Sequence, residues 1–336
     1  MASRKKKALR AFFWVFSIIV FIACLAAAAE AQETPAPVLH STVNLVNVSF
    51  TARDTRGALI DTLSAEQVAI FEDGVEQKIA YFAKSTALPL TLGLIVDASN
   101  SQEHFSKKHE KDVEEFVRRV IGPQDRVFLL GFGNHLRLVS DVHSGGPQLP
   151  PPPDAIATEM MEHLKEYEKK PDRFPEIGPQ EMRELGTAFY DSIFYSIEEK
   201  LGKADGRRAL LVFSDGEDNA SAHDMMSTIE AAQAANVLVY TIRYTETMKH
   251  GELSARNKYG IRVMDRVAKE TGAWNVDASK INPAEYFARI AEELRTTYEI
   301  GYYPANPMKD DSFRKIAIRP RQEGITIRAK SGYFAR

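Results

Sequence analysis

The stretch Leu92-Gly-Leu-Ile-Val-Asp97-Ala-Ser99-Asn-Ser101 joins an uninterrupted apolar run to a polar loop. The run ends at Asp97, and two hydroxyl side chains follow at alternate positions. Such a run is typical of a strand that is covered on both faces in a parallel sheet. Ligands bind beyond the carboxyl ends of the strands in these sheets, and hard divalent cations prefer oxygen ligands. The stretch therefore predicts a parallel α/β sheet that carries part of a metal site at its edge.

Two later segments are expected at the same edge of the sheet. Gly186-Thr187 opens a helical segment, and Ser214-Asp215-Gly216 directly follows an apolar strand that ends at Phe213. The three segments supply two carboxylates and three hydroxyl groups, from Asp97, Asp215, Ser99, Ser101 and Thr187. This oxygen set suits Mg²⁺, with Ca²⁺ or Mn²⁺ as alternatives, and it suits Zn²⁺ or Cu²⁺ poorly because no His or Cys takes part. Two carboxylates leave the cation coordinatively open, so an acidic residue of another protein is the expected further ligand.

These five residues resemble the metal-ion-dependent adhesion site of the von Willebrand factor A domain superfamily. The Asp-x-Ser-x-Ser pattern of that family is met by Asp97, Ser99 and Ser101, its separate threonine by Thr187, and its second aspartate by Asp215. The resemblance covers about residues 90–298 and implies a Rossmann-like core. It also implies that the hydroxyl groups ligate the cation directly or nearly so, that the aspartates bind it directly or through water, and that an acidic group of a ligand completes the shell.

The segments on either side of this core resemble those of secreted bacterial proteins that carry the same domain. The shared motifs are Phe-Glu-Asp-Gly at 71–74, Gly-Tyr-Tyr-Pro at 301–304 and Gly-Tyr-Phe at 332–334. Both flanks show the alternation and turn residues of β-strands. The two ends of the chain are therefore expected to pair with each other as one small antiparallel β domain, a β-sandwich-like collar beside the core.

Apolar runs alternate with stripes of helical spacing over residues 90–297, which predicts a doubly wound, mostly parallel sheet with helices on both faces. The insertion 143–184 interrupts this rhythm with Pro- and Gly-rich loops and one predicted helix at 155–167. It is expected near the metal edge, either as a recognition element or as a long connection. The predicted division is a signal peptide at 1–31, a linker at 32–38, the first part of the β domain at 39–89, the α/β domain at 90–297 and the second part of the β domain at 298–336.

The N-terminus has the features of a secretory signal peptide. A basic start precedes an apolar run from Phe12 to Ala29, and Ala29-Glu30-Ala31 offers a small-residue cleavage pattern. Cleavage after Ala31 and export to the periplasm or beyond the cell are expected. The alternatives are an uncleaved membrane anchor and lipidation at Cys24, although the residues before Cys24 fit a lipoprotein motif poorly.

The composition of the chain argues against several classes of function. The chain has 336 residues, of which 44% are hydrophobic, enough for a sizeable core. Its single cysteine, Cys24, lies in the signal peptide, so no disulfide, thiol nucleophile or zinc–thiolate site is expected in the mature chain. The net charge of −3 includes five positive charges and one negative charge in residues 1–31, which leaves −7 on the remainder. An acidic exported chain is a poor candidate for binding nucleic acid.

The sequence therefore predicts an exported protein that binds a divalent cation and another protein, in adhesion or envelope assembly, without catalysis. A metal-dependent hydrolase and a structural envelope component with an unused metal site remain as alternatives. A dehalogenase-type phosphatase needs a second aspartate where Ser99 stands, and the usual hydrolase motifs are missing from the sequence. Glu217 and Asp218 are expected to support the loop, and Asp191 either supports the site or lies on a solvated face. The sequence leaves the partner and the oligomeric state open.

Overall fold

In the computed structural model, the strands predicted for the α/β domain form one central sheet. The structure describes residues 45–85, 88–133, 135–143, 151–178, 186–245 and 253–336. The predicted signal peptide, the linker and Cys24 lie outside the described residues. Within the described part of the chain, no helix is both long and apolar enough to cross a membrane.

The central sheet has six strands, and five of them are parallel. Their order across the sheet is β10-β9-β8-β5-β6-β7, and only β7 runs antiparallel to its neighbour. The strands are β5 (Leu90–Asp97), β6 (Arg126–Phe132), β7 (Leu136–His143), β8 (Arg207–Ser214), β9 (Val237–Arg243) and β10 (Asn275–Asp277). All eight residues of β5 are buried, because the strand is central and covered on both faces. The carboxyl ends of β5 and β8 therefore lie side by side, as the sequence predicts.

Six helices cover this sheet, three on each face. They are α1 (Ser106–Val120), α2 (Pro153–Lys169), α3 (Phe189–Tyr195), α4 (Met225–Ala234), α5 (Ala255–Thr271) and α6 (Pro283–Arg295). One hydrophobic core contains apolar side chains of α1, α2 and α6, and the other contains those of α3, α4 and α5. A single π-helical turn, Ser196–Leu201, continues α3. The predicted doubly wound architecture is confirmed.

The two ends of the chain together form two antiparallel sheets, as expected for a β-sandwich-like domain built from both flanking segments. One sheet has the order β13-β1-β11-β4 and the other has the order β14-β12-β2-β3. The strands are β1 (Val46–Arg53), β2 (Val68–Glu72), β3 (Val75–Gln77), β4 (Ile79–Ser85), β11 (Thr297–Tyr302), β12 (Phe313–Pro320), β13 (Thr326–Ala329) and β14 (Gly332–Phe334). Each sheet combines strands from both ends, and apolar residues of both sheets share one core. The predicted pairing of the two ends is confirmed, because β11 and β13 pair with β1, and β12 pairs with β2.

The insertion contributes the helix α2 and a segment that returns along β7. Ile156, Met160 and Leu164 of α2 are buried in the core on one face of the sheet. After a short turn, the Leu138 amide donates to Pro175 O at 2.9 Å and the Ile177 amide donates to Leu136 O at 2.9 Å. The described part of the insertion is therefore built onto the edge of the sheet.

A buried carboxylate on α6 ties the β domain to the central sheet. The Arg53 side chain on β1 donates to Glu293 Oε1 at 2.6 Å. Tyr240 on β9 and the Trp274 indole donate to Oε2 of the same residue, at 3.2 and 2.7 Å. This cluster satisfies both oxygens of Glu293 with groups from three parts of the fold.

Candidate metal centre

Asp97 is buried at the carboxyl end of β5, and donors from two loops fix both of its oxygens. The Ser99 amide donates to Oδ1 at 2.9 Å, and the Ser214 hydroxyl donates to Oδ2 at 2.6 Å. The Gly216 amide donates in turn to Ser214 Oγ at 3.0 Å. The loops after β5 and β8 are thus linked through the carboxylate that the sequence places at the centre of the site.

Asp215 is held in the same way from the opposite side. The Glu217 amide donates to its Oδ1 at 3.0 Å. Oδ2 accepts from the Gln102 amide nitrogen at 2.8 Å and from the Ser101 hydroxyl at 3.2 Å. Ser99 Oγ lies 3.1 Å from Ser101 Oγ. Four of the five predicted residues are therefore connected by short hydrogen-bonded paths.

Thr187 joins this group through the loop that follows β8. Its amide donates to Asn219 Oδ1 at 2.6 Å, and its carbonyl accepts from the Asn219 and Ala220 amides at 3.0 and 3.2 Å. The preceding Gly186 has φ +141°, and a Cβ there would lie 2.6 Å from the Ala220 Cβ. Only glycine allows this approach. Thr187, Ser99 and Ser101 line one cleft, with the two carboxylates buried behind them.

The charge balance of this group fits a bound cation. Every hydrogen-bond donor that the structure gives to Asp97 or Asp215 is neutral: a backbone amide, a hydroxyl or a side-chain amide. Burial, and after it the charge of Asp215, raises the pKa of Asp97 from 3.8 to about 7. A divalent cation would offset both effects. The five oxygen-bearing side chains suit Mg²⁺.

A second Asp-x-Ser pair lies at the same sheet edge, and the neighbours of its aspartate differ from those of Asp97. Asp277 ends β10, and its Oδ1 accepts from the Ser279 amide and hydroxyl at 3.1 and 2.6 Å. Its other oxygen lies 2.7 Å from the Arg243 guanidinium and 3.6 Å from Lys280. Burial acts to raise the pKa of Asp277, but the Ser279 hydrogen bonds and the two cationic groups lower it overall. Side chains already neutralise this carboxylate, whereas Asp97 has only neutral donors.

The cleft in front of the hydroxyl groups has a volume of about 640 Å³. Tyr167, Pro171 and Asp172 of the insertion form part of its wall, together with His135 and Arg137 from the start of β7. Arg256, at the beginning of α5, lies at its border. The insertion therefore reaches the sheet edge that carries the candidate metal centre, as expected. This cleft is larger than a single coordinated side chain requires.

The structure adds residues to the site that the sequence does not single out. Gln102, Ser214 and Asn219 each donate to or accept from a predicted site residue. Ser214 lies within the quoted Ser-Asp-Gly segment, so its position gave a signal. Gln102, directly after the Asp-x-Ser-x-Ser motif, and Asn219, in a polar loop, have no sequence pattern that predicts their roles.

The acidic residues around the site support its loops. Asp191 is buried and accepts from the Ala222 and His223 amides at 3.0 and 2.9 Å, so the solvated-face alternative is wrong. Asp218 accepts from the Tyr190 amide at 3.3 Å and also contacts the Ser221 hydroxyl. Glu217 pairs with Arg256. Among the described residues, no group of three or more His, Cys, Asp or Glu side chains is arranged to hold a metal, so the candidate centre depends on its hydroxyl groups.

No protein-family model and no curated protein matches the chain. Similar solved structures include an aerotolerance-related membrane protein from Bacteroides fragilis, with 16% identity over 61% of this chain and 98% of that chain, and a TM-score of 0.41. BatB from Bacteroides thetaiotaomicron has 18% identity over 61% of this chain and 97% of that chain, with a TM-score of 0.39. Proximal thread matrix protein 1 from the mussel byssus, in a form with a zinc-occupied MIDAS motif, has 10% identity over 66% of this chain and 49% of that chain, with a TM-score of 0.41.

The core itself has five parallel strands and one antiparallel edge strand between two helical layers. This arrangement confirms the predicted doubly wound, Rossmann-like core.

Proposed function

We propose that the protein binds one divalent cation, Mg²⁺ in the first instance, through Asp97, Ser99, Ser101, Thr187 and Asp215, and that the cation accepts a carboxylate from a partner protein. The observation that carries the proposal is the placement of two buried carboxylates with only neutral donors behind a cleft that three hydroxyl side chains line. In this chemistry the cation acts as an electrophile for an anionic ligand. The residues of this chain orient the site, and we assign them no catalytic step.

The donor geometry supports a cation that keeps its attraction for an external anion. Ser99 and Ser214 engage both oxygens of Asp97, and the Glu217 amide and Gln102 engage both oxygens of Asp215. A carboxylate that shares its lone pairs with such donors neutralises a cation less completely. The remaining positive charge favours a third carboxylate, which a partner can supply.

We further propose that the protein works outside the cytoplasm, in adhesion or in envelope assembly. The basic and apolar segment before Ala31, with its small-residue cleavage pattern, supports export. The mature chain is expected to be released from its signal peptide, and a retained segment would instead anchor it.

The test is a pulldown from the native envelope in Mg²⁺ or in EDTA, followed by mass spectrometry. Wild-type protein is expected to retain a partner in Mg²⁺ and to release it in EDTA. The double variant Asp97→Ala/Ser99→Ala is expected to lose the partner while it keeps its circular dichroism spectrum.

The matched control is Asp277→Ala/Ser279→Ala, which removes the same spacing at the same sheet edge from a carboxylate already paired with Arg243. It should retain the partner in Mg²⁺. A folded Asp97→Ala/Ser99→Ala variant that keeps full partner affinity, with no effect of EDTA, would show that the proposed function is wrong.

A further inference from the structure

The cleft in front of the candidate metal centre extends to a cationic side chain that cation binding does not require. Arg256 is the second residue of α5 and borders the same cleft as Ser99, Ser101 and Thr187. Its side chain is 62% exposed. A partner segment that reaches the hydroxyl groups therefore has this guanidinium beside it.

Arg256 is held in place by the loop that carries Asp215. One of its terminal nitrogens contacts Oε2 of Glu217, whose side chain is only 7% exposed. The Glu217 amide donates to Asp215 Oδ1 at 3.0 Å, so the anchor of Arg256 is continuous with the candidate metal centre. A guanidinium has five N–H donors, and the contact with Glu217 engages one terminal nitrogen. The ion pair thus pre-orders an arginine that still presents donors to the cleft.

Arg137, the other arginine that lines the cleft, is already engaged by the protein. Arg137 is only 11% exposed, and it donates to Phe174 O and Glu176 at 2.8 Å and to Asp172 at 3.2 Å. The insertion thereby occupies its donors. The Asp172 side chain beside it is 94% exposed and repels an acidic ligand. Anion recognition beyond the cation is therefore directed toward Arg256.

We propose that the cleft binds an extended segment of a partner protein that carries two acidic residues, one at the cation and one at Arg256. The inference rests on the proposed function, because the cation is the first anchor. A carboxylate matches the planar fork of an arginine, and such charge-assisted bonds are among the stronger polar contacts. The volume of about 640 Å³ accommodates a short stretch of extended chain.

The test uses synthetic peptides of one length that contain either one glutamate or two glutamates separated by one to six residues. Their affinity for the full-length mature protein is measured in Mg²⁺ and in EDTA. In Mg²⁺, the best two-glutamate peptide is expected to bind wild-type protein about tenfold more tightly than the one-glutamate peptide, as one charged hydrogen-bonded contact provides.

Arg256→Gln is expected to remove this advantage and to leave the one-glutamate peptide unchanged. Arg256→Lys should recover only part of the advantage, because lysine lacks the planar fork. The matched control is Arg262→Gln, an exposed residue of the same helix that does not line the cleft, and it should behave like wild type.

The outcomes separate the two proposals. Mg²⁺-dependent binding with no difference between wild type and Arg256→Gln overturns the arginine subsite and leaves the metal function intact. Two-glutamate binding that depends on Arg256 but not on Mg²⁺ overturns the metal function and, with it, the placement of one acidic residue at the cation. If no peptide binds wild-type protein in Mg²⁺, the two-acid proposal is wrong.

Discussion

At the scale of single residues, the neighbours of a carboxylate distinguish a metal site from a structural turn. Asp97 and Asp277 both end a parallel strand and both precede a serine at the second position. Arg243 and Lys280 neutralise Asp277, whereas Asp97 is held by neutral donors and lies close to a second carboxylate. The Asp-x-Ser spacing alone is therefore a weak signal. The residues around it determine whether a cation is needed.

Gln102 is a neighbouring residue that orients one of the two carboxylates. Its replacement should weaken cation binding. It is buried, and its amide nitrogen donates to Asp215 Oδ2 at 2.8 Å and to Tyr244 O at 3.3 Å. Gln102→Leu keeps a similar volume but removes the shorter of the two side-chain hydrogen bonds that orient Asp215 Oδ2. We expect the Mg²⁺ affinity to fall about tenfold or more, which is typical when a group that orients a metal ligand is lost. Isothermal titration calorimetry measures this change.

The matched control is Gln233→Leu, which removes another buried glutamine, at a distance from the site. Its amide nitrogen donates to Glu270 O and to Ser331 Oγ at 2.9 and 3.0 Å. Gln233→Leu should lower stability without changing Mg²⁺ affinity. Equal Mg²⁺ affinities for wild type and Gln102→Leu would exclude the orienting role of Gln102.

At the scale of elements, helix α1 carries a buried titratable group close to the site loops. His109 packs edge-on against Tyr244, with the two ring centroids 4.3 Å apart. Neither of its ring nitrogens has a hydrogen-bond partner among the described residues. Burial, then the charges of Lys108 and His104, lowers the pKa of His109 from 6.5 to about 3. The native state therefore holds this imidazole neutral at any pH near neutrality.

This histidine makes stability depend on pH. The unfolded chain binds a proton at His109 below about pH 6.5, whereas the native state does not until about pH 3. The unfolded state is thus favoured as the pH falls. Between pH 7 and pH 5 this protonation lowers the free energy of unfolding by about 2 kcal/mol. In His109→Phe this decrease in the free energy of unfolding should be absent, and urea denaturation between pH 7 and pH 5 measures it. Parallel pH profiles for wild type and His109→Phe would contradict a neutral buried imidazole.

Several elements could be predicted from the sequence because local pattern determines them. The strands β5, β6, β8 and β9 are apolar runs of strand length, and the turn between β2 and β3 has Asp73 and Gly74 at positive φ, as a tight hairpin needs. Other features depend on contacts between residues that are distant in the chain. The short strand β14 pairs only with β12, and the return of the insertion along β7 depends on hydrogen bonds of Pro175 and Ile177. Neither has a periodic signal of its own.

At the scale of the whole molecule, the β domain and the α/β domain are held together by buried polar groups as well as by the chain. The described residues belong to one compact unit, Asn44–Arg336. The pairing of the two ends in one β domain could be predicted, but the order of its strands could not, because either end offers several strands of similar pattern and only long-range packing selects the pairs. The pattern of apolar residues in α6 likewise does not predict that Glu293 is buried and connects α6 to β1 and β9.

Removal of this carboxylate should destabilise the whole protein. Glu293→Ala leaves Arg53 buried without its partner and removes the acceptor of Tyr240 and Trp274. Loss of one member of a buried ion pair typically costs about 3–5 kcal/mol. The free energy of unfolding in urea measures the effect. Glu292→Ala, at the exposed neighbouring position, should change it by no more than about 0.5 kcal/mol. A change below about 1 kcal/mol for Glu293→Ala would contradict the role of this cluster.

The central claim is that the hydroxyl and carboxylate groups at the sheet edge hold one cation, and the most direct measurement is a calorimetric titration of Mg²⁺ into wild type, Thr187→Val and Thr187→Ser. Valine keeps the shape of Thr187 without its hydroxyl, and serine restores the hydroxyl. We predict one Mg²⁺ per wild-type chain, affinity about tenfold or more weaker for Thr187→Val, and affinity close to wild type for Thr187→Ser. No Mg²⁺ uptake by folded wild-type protein, or equal uptake by wild type and Thr187→Val, would contradict the claim.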